Sequence, residues 1–147
     1  MDLTKLKWTK NVNHPEKEWA YSYEDIDFKS KVFYLHWTKD SKSNAEIPKE
    51  EDLIIIRQRT YVTHIVQVLN NTVYSESENL PNRLVKAVWM AEFWNEPPEE
   101  ESIFGYTLKF PAGKVLDLRK SPKFNEHWNN RGGLLAFQKQ VQQKLKL

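Results

Sequence analysis

The run from Asp52 to Leu69 constrains the fold more than any other stretch of the chain. It reads Asp-Leu-Ile-Ile-Ile-Arg-Gln-Arg-Thr-Tyr-Val-Thr-His-Ile-Val-Gln-Val-Leu, the densest β-branched segment present, split by the polar group Arg57, Gln58, Arg59 and Thr60. Leu53 to Ile56 is the continuous apolar run of a strand buried on both faces, while Val62, His64, Val66 and Val68 alternate with Thr63, Ile65, Gln67 and Leu69. Two strands joined by a tight connection follow from this pattern, although the turn lacks the usual Asn-Gly or Asp-Gly. The charged crest of such a hairpin is a candidate contact point for a partner.

Length sets the scale of the rest. At 147 residues the chain forms one domain and buries about two-thirds of its unfolded surface. It has no cysteine, which excludes disulfides and thiolate metal sites and suits a reducing compartment. No stretch has the apolar core of a signal peptide or the roughly 18 apolar residues of a membrane span, so a cytoplasmic protein with no membrane contact is expected. A net charge of +2 does not by itself imply a polyanionic partner. Glu96, Glu99, Glu100 and Glu101, beside Pro97 and Pro98, read as a solvated acidic loop.

Residues 1–30 read as an irregular lead carrying Trp8, Trp19, Tyr21, Tyr23 and Phe28, packed over a body formed by residues 31–147. Lys31 to Thr38 alternates as a two-faced strand, as does Arg83 to Ala91, with Leu84, Lys86, Val88 and Met90 opposite Val85, Ala87, Trp89 and Ala91. Ile103 to Phe110 reads as another strand, with Phe104, Tyr106, Leu108 and Phe110 facing together, and Val115 to Leu118 as a short last one. Ser121-Pro122 has the form of an N-cap followed by proline at the first helical position. Gly132-Gly133 reads as a helix stop and restart, after which Leu134, Phe137, Val141 and Leu145 make one apolar stripe. The class is α+β: a small mixed β-barrel of five to six strands with peripheral helices.

This order of elements resembles the PUA-like superfamily, in particular its EVE, YTH and ASCH branches. The resemblance is carried by Val32-Phe33-Tyr34-Leu35-His36-Trp37, by Glu51-Asp52-Leu53-Ile54-Ile55-Ile56, by Thr63-His64-Ile65-Val66-Gln67-Val68 and by the later strand with Trp89. It spans roughly residues 31–147 and implies a PUA-like fold with a pocket for a modified or flipped base in nucleic acid. ASCH-like relatives include hydrolases, which keeps a catalytic reading open.

Among the residues themselves, Arg57 and Arg59 are the candidates for phosphate contacts, and Trp37 and Trp94, each where a strand gives way to a polar loop, for stacking a base. His64 joins this ligand-binding set, alongside the plainer reading of a hydrogen-bonded core histidine. The four histidines lack the close spacing of metal ligands, and no Gly-x-Ser-x-Gly elbow or phosphate loop is present. The expected function is therefore a non-catalytic module, without metal or cofactor, that recognises a modified or flipped base in single-stranded or locally opened nucleic acid. Two alternatives stand beside it: a protein-interaction or homodimerisation module, and an ASCH-type hydrolase built from His36, His64 and Asp117.

Overall fold

The structure, a computed structural model, describes residues 1–75, 80–92, 94–108 and 113–147. Its strands are β1 (Leu6–Asn11), β2 (Val32–His36), β3 (Leu53–Gln58), β4 (Tyr61–Val68), β5 (Tyr74–Ser75), β6 (Pro81–Met90) and β7 (Val115–Asp117). The helices are α1 (Lys42–Ala45), α2 (Glu100–Phe104), α3 (Pro122–Trp128) and α4 (Gly133–Lys144), with short 3₁₀ turns at Leu118–Lys120 and Asn129–Arg131.

β3 and β4 form the expected hairpin, joined by Arg59 and Thr60 alone. Both of these residues have positive φ, 50° and 71°, the geometry that two-residue hairpins usually fill with Asn-Gly. A β-branched residue is strained there, and outside bonds hold the turn: Thr60 O accepts from Glu100 N at 2.8 Å, and Val62 N donates to Pro98 O at 2.8 Å.

The sheet runs β2-β6-β4-β3-β1-β7, with β5 paired to the start of β6. Among the described residues it is mixed and has seven strands, and it stays open with β2 and β7 at its edges, which corrects the expected barrel of five to six strands. The cause lies in the N-terminal residues. Leu6–Asn11 is not an irregular lead: it adds to β3 in parallel and to β7 antiparallel, and so extends the sheet where a barrel would have to close.

β3 is buried on both faces, as its continuous apolar run requires. Leu53 and Ile55 join one core, Ile54 and Ile56 the other. Bulges then reassign the side chains of its neighbours. Ile56 pairs with His64 and Arg57 with Val62, so Thr63 is the extra residue, and Val62 joins Ile65 rather than His64 and Val66. Likewise Ile65 pairs with Trp89 and Val66 with Ala87, which leaves Val88 extra. Trp89 therefore shares a face with Val88, and Met90 with Val85 and Ala87.

The first core is roofed by α2, α3 and α4 through Ile103, Phe104, Phe124, Trp128, Phe137 and Val141. Ser121 Oγ caps α3 by accepting from Phe124 N, with Pro122 in the first turn, as expected. Gly132 (φ 105°) ends the 3₁₀ turn before α4, and a Cβ there would meet Ala136 at 2.8 Å. The strand expected over Ile103 to Phe110 is corrected. Residues 100–104 are helical, with Glu100 and Glu101 in the first turn, where the helix dipole favours carboxylates, and Gly105 (φ 87°) closing the C-terminus. Phe110 lies outside the described residues.

The second core is covered by residues 12–31 and by α1. Val12, Ala20, Tyr21 and Ile26 lie over Ile54, Ile56 and Val66, and Ala45 is fully buried. Arg83 fastens this side from within β6: its guanidinium donates to the carbonyls of Ala45, Pro48 and Asn70, each at 2.7 Å.

Candidate functional site

The hairpin crest separates the two arginines that the sequence grouped. Arg57 is not at the crest. Its side chain is 3% exposed, with Nη1 donating to Glu100 Oε2 at 3.0 Å and Nε to Thr9 Oγ1 at 2.9 Å. This buried ion pair joins β3 to α2, and it corrects both the phosphate role expected of Arg57 and the solvated position expected of Glu100. Arg59 is at the crest, with its side chain 57% exposed. It pairs with Glu18 Oε1 at 3.1 Å and lies 5.4 Å over the ring of Trp19, a cation–π distance.

His64 is fully buried, as a core histidine with both ring nitrogens engaged. Nδ1 lies 2.9 Å from Thr63 Oγ1 and Nε2 2.9 Å from Tyr21 O. Desolvation takes its pKa down to about 4, so the ring is neutral at physiological pH. Gln58 does similar work one strand away: Oε1 accepts from Ala20 N at 2.7 Å while Nε2 donates to Ala20 O at 2.9 Å. Together they tie the backbone of Ala20 and Tyr21 to the hairpin. The unfolded chain holds protons on His64 that the native state refuses between pH 6.5 and 4, so stability falls as pH drops through this window. We expect His64→Gln to remove about 3 kcal/mol of that acid-induced loss in urea titrations at pH 4 and pH 7. Parallel pH profiles for the two proteins would refute the assignment.

The two tryptophans also part company. Trp37 is 2% exposed, and its Nε1 donates to Asn44 Oδ1 at 2.8 Å, so its ring is set into the second core and is not free to stack a base. Trp94 is half-buried, edge-on to His64 at 5.4 Å and to Trp19 at 5.9 Å between ring centroids. Trp19 continues the row edge-on to Tyr61 at 5.9 Å. Beside Trp94, Tyr23 is 51% and Phe28 66% exposed, and Lys31 Nζ stands 5.6 Å from the Phe28 ring.

These rings line two adjoining cavities. One, of about 360 Å³, is formed by Tyr23, Phe28, Lys31, Met90, Glu92 and Trp94. The other, of about 520 Å³, lies against Lys17, Trp19, Ser22, Tyr23, Glu24 and Trp94. Tyr23 and Trp94 belong to both. Of the five residues chosen from the sequence, the structure brings Arg59 and Trp94 to this face, sets His64 behind it as support, and places Arg57 and Trp37 in the interior. Trp19, Tyr23, Phe28 and Lys31 were missed as a site. The available signal was a stretch dense in aromatics without helical or strand period, which leaves some of those rings with no core to enter.

In the hydrolase set both histidines contact Tyr21, His36 through its ring and His64 through the Tyr21 carbonyl. His36 stacks on Tyr21, His64 is enclosed, and both carboxylate oxygens of Asp117 accept from the Arg119 guanidinium. Among the described residues no group of three or more His, Cys, Asp or Glu could hold a metal ion, and no helix is long and apolar enough to cross a membrane. Comparison with protein-family models, with curated proteins and with solved structures finds no match for the chain.

Proposed function

We propose that the protein is a non-catalytic binding module that takes a flat heteroaromatic ring on the face formed by Trp19, Tyr23, Phe28 and Trp94. Its foremost ligand is an unpaired or modified base of single-stranded or locally opened nucleic acid. One observation carries this reading: Tyr23 and Trp94 are shared by two adjoining cavities, and Tyr23 and Phe28 keep half or more of their surface in solvent. Aromatic side chains left open in this way stack bases at about 1–3 kcal/mol each. The resemblance of residues 32–37, 51–56 and 63–68 and of the later strand with Trp89 to the PUA-like superfamily supports the same ligand class.

The charges at the rim shape the expected behaviour. Lys17, Lys31 and Arg59 stand among Glu18, Glu24 and Glu92, so stacking supplies most of the affinity and phosphate attraction little. With fluorescently labelled oligonucleotides, modified and unmodified, Trp94→Ala should weaken binding about fivefold to a hundredfold with the salt slope unchanged. Arg59→Ala should reduce that slope by about 0.7, the value of one contact to a single strand. If no oligonucleotide binds even at low salt, the nucleic-acid reading fails. The carboxylates Glu18, Glu24 and Glu92 favour a second reading, in which the same face docks a protein or a second copy of the chain. Sedimentation showing self-association that Phe28→Ser abolishes would select it.

A further inference from the structure

Lys10 is a cation placed where a cation is expensive. It sits on β1 and is 2% exposed; Nζ donates to Gly113 O at 2.6 Å and lies 4.9 Å from the centroid of the Trp37 ring. An ammonium has three protons to place, and a carbonyl with a ring face falls short of a counter-ion. Burial drags the pKa of the amine down to about 7, with desolvation as the cause. Lys10 also belongs to the lining of a cavity of about 350 Å³, together with Asn13, Tyr21, His36, Trp37 and Thr38, a volume within the usual range for small-molecule sites of about 300–1,000 Å³.

The strand partners of Lys10 are Ile56 on β3 and Val115 on β7, both apolar. The next charged residue on β3, Arg57, is engaged with Glu100 and Thr9, and Asp117 on β7 is held by Arg119. Among the described residues the other titratable groups that share the cavity are Tyr21 and His36, which stand together with Tyr21 Oη 3.3 Å from His36 Nδ1. Among the described residues none that lines the cavity is acidic.

We propose that this cavity is a binding site for a small, singly charged organic anion, a carboxylate foremost, that becomes the counter-ion of Lys10. One lysine balances one negative charge, and the neutral amide and hydroxyl groups of Asn13 and Thr38 suit the remaining polar atoms of such a ligand. The site is separate from the aromatic face, and its occupancy does not depend on what binds there.

Because the bound anion favours the charged amine, binding above neutral pH takes up a proton. Calorimetric titration of the full chain with benzoate, acetate and inorganic phosphate tests this. Benzoate should bind saturably, and its dissociation constant should rise about eightfold from pH 7.5 to 8.5, since only the protonated amine of pKa about 7 accepts the anion. Repeating the titration in buffers of different ionisation enthalpy should show the proton uptake directly. Lys10→Met should abolish binding, whereas His36→Phe should keep the pH profile, because the proton goes to the lysine. An affinity that stays constant from pH 7.5 to 8.5, or the absence of binding by both carboxylates, overturns the proposal, and the wild-type profile decides this even if a variant fails to fold. Binding retained in Lys10→Met, or phosphate held more tightly than either carboxylate, overturns it as well.

Discussion

A chain lacking residues 1–13 should not fold. β1 is an inner strand: it pairs with β3 from Leu6 opposite Leu53 to Asn11 opposite Arg57, and with β7 on its other edge. Its removal would expose one edge of β3, the strand buried on both faces, and leave β7 without a neighbour. The side chains lost are Leu3, Leu6, Trp8 and Val12, all buried. At about 1.5–3 kcal/mol each, their burial is of the same order as the whole stability of a domain, about 5–15 kcal/mol. Polar bonds go with them: Trp8 Nε1 donates to Asp52 Oδ2 at 3.0 Å, Thr9 Oγ1 to Ile55 O at 3.0 Å, and Gln138 Nε2 to Leu6 O at 2.9 Å. The truncated chain should give no cooperative urea transition and a collapsed amide spectrum. A transition within about 2 kcal/mol of the full chain would show that β1 is dispensable.

That strand is also where the sequence was least legible. Leu6, Trp8 and Val12 were in plain view, but Lys7 and Lys10 interrupt them, and a lysine at position 10 argues for solvent when in fact it is buried beneath Trp37. Lysine is almost never fully buried, so periodicity misread the segment for a physical reason. α2 was obscured in the opposite way. Phe104, Tyr106 and Leu108 alternate like a strand, and this outweighed the signals that prevailed, carboxylates at a helix start and Gly105 at its end. What could be read was set by local chemistry: the two-faced burial of β3, the Ser121-Pro122 start of α3 and the Gly132-Gly133 break before α4.

The site was legible only in part, because it depends on contacts between distant segments. Nothing local to Arg57 says that Glu100, forty-three residues on, will meet it. Nothing near Trp94 says that Trp19 and Tyr23 will fold back to line the same cavities. The bulges at Thr63 and Val88 have no local signature either, yet they decide that His64 points toward the aromatic segment and Val62 away from it.

Breaking the Arg57–Glu100 pair on one side should cost far more than removing it whole. Both side chains are 3% exposed, so Arg57→Met leaves a carboxylate in the core and Glu100→Leu leaves a guanidinium there. Each single substitution should lower stability by about 3–5 kcal/mol, while Arg57→Met with Glu100→Leu should recover to within about 2 kcal/mol of the native chain, since an apolar pair of similar volume avoids the desolvation that the ions suffer. Urea titration of the four proteins closes the double-mutant cycle. Single losses below about 1 kcal/mol, or a double variant as weak as the sum of the singles, would mean that water reaches the pair. The cycle also reports on function. The bond from Glu100 N to Thr60 O, which holds the turn that carries Arg59 over Trp19, is made by the backbone and needs neither side chain of the pair. The double variant should therefore keep its fold and retain the Arg59 contact, and oligonucleotide binding should follow Arg59 and Trp94 rather than Arg57, opposite to what a phosphate-binding Arg57 requires.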